Sequence, residues 1–388
     1  MPAPTKQTHR AFKIGLVLDD SLDKVDGVQQ YVIGVGEWLR AHGHEVHYLV
    51  GETTRRDLPN VHSLSRNLKV RFNGNRMSMP LPTSRTKLRQ LLAAEQFDVL
   101  HVQLPHSPYL AHRLVLEAGD RTAVVGTFHI IGYGKLVTVA TKALGIWTRK
   151  SLERFDTMVS VTDAAGRFAH DAFGIETIVL PLMIDYQLFH TAKRLPKYND
   201  DRLTILFLGR LVPRKGCQVL LEAIEYLVQD SGLPQFRVVI CGKGPLAPRL
   251  QRFTADRGLS GLVEFVGFVS EKDKPRYYAS ADITVFPSLG GESFGIVLLE
   301  GMASGHAVVL AGDNPGYRSV MTTRPELLFN PRNARDLAHK LAQYMTNSKL
   351  RSAAQNWGMQ YTAGFDNDKV GEELVDMYRQ ALRKRAEQ

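Results

Sequence analysis

A chain of 388 residues with 44% hydrophobic and 23% charged residues is long enough for two domains of ordinary size, each with its own core. That balance excludes a disordered chain, a collagen-like repeat and a small disulfide scaffold, and the two cysteines, Cys217 and Cys241, make neither a disulfide framework nor a metal cluster. The formal net charge of +10 leaves three anionic partners open: nucleic acid, anionic lipid and a phosphorylated substrate. No apolar run reaches the ~20 residues that span a bilayer, and the opening MPAPTKQTHR lacks the apolar centre of a secretory signal. The expectation is a cytoplasmic protein, at most peripheral on the inner face of the plasma membrane.

In chain order, short apolar runs at 12–18, 45–50, 97–103, 123–128 and 157–161 read as strands of a first half. Those at 203–208, 236–241, 263–266, 282–286 and 307–310 read as strands of a second. Helical patterns lie between them, such as Val28, Val32, Val35, Leu39, stopped by Gly43, and Leu220, Ile224, Leu227. This alternation predicts an α/β protein of two doubly wound parallel-sheet domains. The polar stretch 190–201, with Pro196, reads as the linker. A last helical pattern, Val370, Leu374, Met377, Ala381, could cap either domain.

Ligands of open parallel sheets bind beyond the carboxyl ends of the strands, so the loops there carry the functional reading. After 203–208 comes Gly209-Arg210-Leu211-Val212-Pro213-Arg214-Lys215-Gly216, in which Arg210 and Lys215 can converge on neighbouring phosphates; the plain alternative is a solvated basic turn. After 236–241 comes Gly242-Lys243-Gly244-Pro245-Leu246-Ala247, a match to G-x-G-x-x-A. A dinucleotide fingerprint should open the first strand-turn-helix unit of its domain, and this one does not. The third loop, with Val269, Glu271 and Lys274, has the composition of a surface turn. The fourth is PSLGGESFGIVLLEGMASG from Pro287. Its helix is expected to begin near Ser293, an N-cap by residue type, so that the N–H groups of Ser293, Phe294 and Gly295 form an anion site beside Glu292. Glu300 lies further into that helix, about 10 Å of helical rise away, too far for a retaining glycosidase pair. Its plain alternative is a buried ion pair.

The runs FLGRLVPRKG, VVICGKGP, FVGFVSEKDK and FPSLGGESFGIVLLEGMASG, in this order and spacing, resemble the retaining GT-B glycosyltransferases of family 4. The resemblance implies two Rossmann-like domains facing a cleft. Residues 1–190 would bind the acceptor and 191–365 the nucleotide sugar, with 366–388 returning as a helix to the first domain. It implies that Arg210 and Lys215 neutralise the donor diphosphate, that Glu292 with Ser293, Phe294 and Gly295 holds the sugar, and that Glu300 binds the ribose hydroxyls. Gly209, Gly242, Gly244 and Val269 would line the donor site. The leaving phosphate oxygen would take the acceptor proton, so no general base and no metal site is expected; Mg2+ could be present without being essential.

The first half is similar to bacterial phosphatidyl-myo-inositol mannosyltransferases. Asp26-Gly27-Val28-Gln29 stands where they carry Gly-Gly-Val-Gln, which implies Gly27 on the donor side and Gln29 on the acceptor side. Asn73-Gly74 matches an acceptor-side turn, and Lys135 is carried over as an acceptor residue. His129, at a strand end, would lie near the transferred sugar. Glu271 stands where an acidic residue accepts from guanine N1–H and N2–H, and Lys274 matches a base-side lysine. Departures are Asp26 for glycine, Gln103 for a histidine, and Pro-Leu-Met-Ile-Asp at 181–185 for Pro-Asn-Gly-Val-Asp. The implied reaction moves mannose from GDP-mannose to a membrane lipid such as phosphatidylinositol. The alternative is a UDP-sugar donor with another lipid or a soluble acceptor.

A nicotinamide-dependent oxidoreductase built on Gly242 and Gly244 is the reading from another class. Nucleic acid is set aside, because no helix-turn-helix, zinc or RRM signature accompanies the charge. An anionic membrane is the further expected partner. From 66 to 89 the chain carries Arg66, Lys69, Arg71, Arg76, Arg85, Lys87 and Arg89 with no acid, interleaved with Leu68, Val70, Phe72, Met77 and Met79.

Overall fold

The computed structural model describes residues 10–23, 27–72, 75–129, 135–292 and 294–388, with the backbone alone for 69–72, 75–79 and 135–143. The apolar runs form strands because almost every side chain along them is buried, as in a parallel sheet covered on both faces. The first nine are β1 (Lys13–Leu18), β2 (Glu45–Val50), β3 (Val61–Ser63), β4 (Asn67–Phe72), β5 (Asn75–Pro80), β6 (Val99–Gln103), β7 (Ala123–Phe128), β8 (Thr157–Ser160) and β9 (Ile178–Val179). The remainder are β10 (Leu203–Leu208), β11 (Phe236–Cys241), β12 (Val263–Gly267), β13 (Ile283–Phe286), β14 (Val308–Gly312) and β15 (Leu328–Phe329).

One parallel sheet runs β3-β2-β1-β6-β7-β8-β9 and the other β12-β11-β10-β13-β14-β15. Each strand expected from the sequence is present. The additions β3, β9 and β15 are edge strands of two or three residues, too short to carry a period. β4 and β5 pair as an antiparallel hairpin inside the basic segment, where the alternation of Leu68, Val70 and Phe72 has the two-residue period of a strand.

The chain divides into two compact units, Met1–Met183 with Val370–Gln388, and Ile184–Lys369. The stretch read as a linker is packed into the second unit. Tyr198 is buried and its hydroxyl donates to Glu264 Oε2 at 2.9 Å, while the Leu195 N–H donates to Ser280 Oγ at 2.8 Å. A single aromatic anchor among polar residues leaves no periodic trace.

The last helix, Asn367–Ala386, belongs to the first unit from Val370 onward. It buries Val370, Leu374, Tyr378 and Ala381, so Tyr378 takes the place expected for Met377. The Tyr378 hydroxyl bonds His101 Nδ1 at 2.7 Å, and His101 Nε2 reaches Thr127 Oγ1 at 2.7 Å. Two turns earlier Gly371 lies against Trp38; a Cβ there would come within 2.5 Å of the indole. Gly371→Val should therefore push the helix off its seat and cost about 1–3 kcal/mol, read as a lowered urea midpoint. A midpoint equal to that of the wild type would contradict the packing.

Candidate active site

The second sheet winds outward from β10 to β11 and β12, then returns to β13 on the other side of β10. The switch point, where such sheets bind ligands, lies between β10 and β13. The loops that follow these two strands are joined there. The Leu289 N–H donates to the Arg214 carbonyl at 2.8 Å, and Ser288 Oγ stands 3.1 Å from the same carbonyl. Asn314 Nδ2 secures the second loop from the next strand end, donating to the carbonyls of Ser288 and Gly312.

On this frame Glu292 Oε1 accepts from Arg214 Nη1 at 2.7 Å, Lys215 Nζ at 2.8 Å and Ser288 Oγ at 2.7 Å. Burial would raise the Glu292 pKa, but Lys215 and Arg214, with the bonds from Lys215 and Ser288, outweigh it and hold it below the ordinary glutamate value. Arg214 Nε is buried and has no partner among the described residues. Arg210 is half-buried in the same loop, next to Gly209. Arg210 and Lys215 are the residues of this loop expected from the sequence; Arg214 and Ser288 are additional to them. Arg214 was detectable in principle, since the turn Pro213–Lys215 carries both neighbouring cations.

The helix expected from Ser293 begins instead at Ile296. Gly295 is its N-cap at φ 104°, a left-handed conformation that closes the helix to residues before it. The ring of Tyr317 fills the space where a Cβ at Gly295 would stand, 2.6 Å away. The first helical N–H groups are thus those of Ile296 and Val297, not those of Ser293, Phe294 and Gly295. Phe294 is buried near Phe365, and Ser293 lies outside the described residues.

The residues read as base and ribose contacts form one network. Lys274 opens the helix Lys274–Ser280, and its Nζ lies 2.6 Å from both Glu300 Oε1 and Glu271 Oε2. Tyr278 donates to Glu300 Oε2 at 3.2 Å. The buried ion pair, the plain alternative for Glu300, is therefore present. Burial alone would lower the Lys274 pKa, yet Glu300 and Glu271 together raise it, so the lysine stays charged. Glu271 is exposed and Val269 half-buried in the loop before it.

Gly242 and Gly244 have a packing role. A Cβ at Gly242 would stand 1.9 Å from the Gly209 carbonyl oxygen, and one at Gly244 2.3 Å from that of Leu211. The glycines let this loop lie against the loop after β10, where the Leu211 N–H donates to the Lys243 carbonyl at 2.9 Å. Close loop packing, rather than a dinucleotide fingerprint, accounts for the G-x-G spacing.

In the first unit the switch point lies between β1 and β6. Gly27 opens the helix Gly27–Ala41, and two residues on the buried Gln29 donates to Asp20 Oδ2 at 3.2 Å. His129, just past β7, is buried with Nε2 2.6 Å from Gln103 Oε1 and its ring edge-on to Tyr31. Burial, with His101 nearby, depresses its pKa to about 3, so the imidazole is neutral at physiological pH. Gln103 Nε2 has no partner among the described residues. Asp19, not singled out from the sequence, accepts from Ser107 Oγ and the Ala111 N–H, both at 2.6 Å, and burial raises its pKa to about 6. Lys135 opens the helix Lys135–Leu152 with its side chain undescribed; Asp26, Asn73 and Gly74 lie outside the described residues. The basic segment is not acid-free in space, because Arg85 and Arg89 both pair with Glu117.

The family model for glycosyl transferases group 1 matches residues 191–360, and that for glycosyltransferase family 4 matches residues 25–188. The phosphatidyl-myo-inositol mannosyltransferase of Mycolicibacterium smegmatis is 35% identical over 318 residues, 80% of this chain and 78% of that one. The protein of the same name from Propionibacterium freudenreichii is 30% identical over 95% of this chain and 94% of its own. The chain is a GT-B glycosyltransferase of family 4. Among solved structures, a glycosyltransferase from Rickettsia africae has the same fold, with a TM-score of 0.75 at 19% identity over 96% of this chain and 99% of that one.

In this glycosyltransferase the depressed pKa of Glu292 ties stability to pH. The charged carboxylate stabilises the fold fully above its unfolded-state pKa and loses that contribution as pH falls through its lower folded value. The difference in unfolding free energy between wild type and Glu292→Gln should therefore shrink as pH is lowered from about 6 toward about 3. A difference that is flat or widens toward acid would contradict the ion-pair geometry.

Proposed function

We propose that this glycosyltransferase moves mannose from GDP-mannose to a phosphatidylinositol-type lipid with retention of configuration. The observation that carries the reading is the convergence of Arg214, Lys215 and Ser288 on Glu292 at the switch point between β10 and β13. Support for the sugar and the acceptor comes from relatives named as phosphatidyl-myo-inositol mannosyltransferases that are 30–35% identical.

Cleavage of the glycosyl–phosphate bond places negative charge on the departing diphosphate. Lys215, Arg214 and Arg210 answer it with cations held in place before the reaction, the arrangement that costs least reorganisation. Once a diphosphate engages Arg214 and Lys215, Glu292 is left to accept hydrogen bonds from sugar hydroxyls. The acceptor hydroxyl attacks on the face from which the diphosphate leaves. The bond from C1 to the acceptor oxygen forms as that from C1 to the phosphate oxygen breaks, and the hydroxyl proton passes to the departing phosphate oxygen. Neutral His129, oriented by Gln103, offers a hydrogen bond without a competing charge.

On the base side, Lys274 holds Glu271, whose exposed carboxylate can accept from guanine N1–H and N2–H; Glu300 is assigned to the ribose, which it would meet by exchanging its contact with Lys274 or Tyr278. This supports GDP over UDP. Gln29, Asn73 and Lys135 are assigned to the inositol phosphate headgroup. Arg66 and Lys87, exposed beside the hairpin, serve a peripheral attachment to anionic lipid on the cytoplasmic face.

Released nucleotide, measured with GDP-mannose and UDP-glucose in the presence and absence of phosphatidylinositol vesicles, tests the assignment. Turnover should require GDP-mannose and rise with the lipid, and Lys215→Ala should lower kcat by about 10²–10³-fold. Equal or faster turnover of the UDP-sugar, or a Lys215→Ala variant of wild-type rate, would overturn it.

A further inference from the structure

Ladder partners in a parallel sheet share a face, and the register places Lys13 opposite Glu45 and His62 opposite Leu49. Glu45, His47 and Leu49 alternate along β2, so Lys13, Glu45, His47 and His62 all project from one face of the sheet. The helix Arg85–Glu95 covers that face through Leu88, which packs in one core with Leu49 and Phe97. Its last residue, Glu95, arrives over the two histidines.

One ligand atom from each of His47, His62 and Glu95 lies within 4.8 Å of the others. His47 Nδ1 is 2.8 Å from His62 Nε2, and His47 Nε2 is 2.9 Å from Glu45 Oε1 and 3.8 Å from Glu95 Oε2. The two imidazoles are stacked, 5.1 Å apart and 9° from parallel, and Phe97 braces His47 edge-on at 5.2 Å. Both carboxylates lie at His47 Nε2, so that is the nitrogen His47 offers; a tetrahedral Zn2+ with bonds of about 2.0–2.1 Å to nitrogen needs its ligand atoms about 3.3 Å apart, so His62 would turn from His47 Nδ1 and the group, now within 4.8 Å, would close around the ion. Two imidazoles with a carboxylate suit zinc and its late transition-metal neighbours rather than Mg2+ or Ca2+.

Lys13 occupies the same corner, its Nζ 2.6 Å from Glu95 Oε2 and 3.0 Å from Glu45 Oε1. Its single charge offsets one of the two carboxylates, and a dication would have to displace it from the oxygen it takes. We propose that His47, His62 and Glu95 form a Zn2+ site, completed by Glu45 or water, for which Lys13 is the built-in competitor. The site sits toward the start of β2, while the catalytic residues follow the carboxyl ends of the strands. Zinc there clamps the three-residue edge strand β3 to β2 and to the helix Arg85–Glu95, and acts on the fold rather than on transfer.

The test uses the full, untagged chain after chelator treatment, titrated with ZnCl2 and separately with MgCl2 by calorimetry and thermal melting. One Zn2+ should bind per chain and raise Tm, and Mg2+ should do neither. His62→Ala, at a half-exposed edge position, should lose stoichiometric zinc binding and the zinc-dependent rise in Tm while keeping its transferase rate. Lys13→Met should keep the site and bind zinc several-fold tighter. No saturable zinc binding, or zinc binding unchanged in both His62→Ala and Glu95→Gln, would overturn the site; weaker binding in Lys13→Met would overturn the role of Lys13.

Discussion

One oxygen, Glu292 Oε1, holds two loops and two cations in register. A carboxylate taken this far out of water is stable only if its lost hydration is replaced, and here an arginine, a lysine and a hydroxyl replace it. The two loops follow β10 and β13, neighbours in the sheet but distant in sequence, so the ion pairs form only when the sheet order is correct. The same constraint makes the site ready for an anion. In the proposed reaction, cations gathered by a carboxylate beforehand need not be collected when the donor arrives, and the carboxylate they release is then free for sugar hydroxyls.

The two units use one topology for opposite chemistry. Beyond β10 stand Arg210, Arg214 and Lys215; beyond β1, at the corresponding switch, stand Asp19 and Asp20, with neutral His129 and Gln103 past β7 and at the end of β6. Cations suit a diphosphate. Carboxylates, an amide and an uncharged imidazole suit hydroxyls, which is how a sugar or an inositol ring presents itself. The last helix belongs to this arrangement, because Tyr378 bonds His101 on β6, whose other nitrogen reaches Thr127 on β7, two residues before His129.

Most of the fold was legible in the sequence because parallel strands buried on both faces are continuous apolar runs, and β2, β7, β10 and β11 match their expected bounds. Edge strands such as β9 were not, since two residues carry no period, and Tyr198 shows how one buried ring can anchor a stretch of linker composition. At the site, residue types pointed to Lys215 and Glu292 but could not say which arginine would face the carboxylate. Ser293 looked like a cap by type, and the backbone of Gly295 decided otherwise. The joining of Glu271, Lys274 and Glu300 depends on helices that follow different strands, so no local pattern could show it. The group of His47, His62 and Glu95 is likewise assembled by register and helix packing, with no spacing motif.

In the proposed function the cations beyond β10 hold the outer phosphate of a nucleoside diphosphate. Calorimetric titration of GDP and GMP into the wild type and Lys215→Met tests it most directly. Lys215→Met should lose most of the margin by which GDP exceeds GMP while GMP affinity stays near the wild-type value. Equal losses for the two nucleotides, or an undiminished preference for GDP, would contradict it.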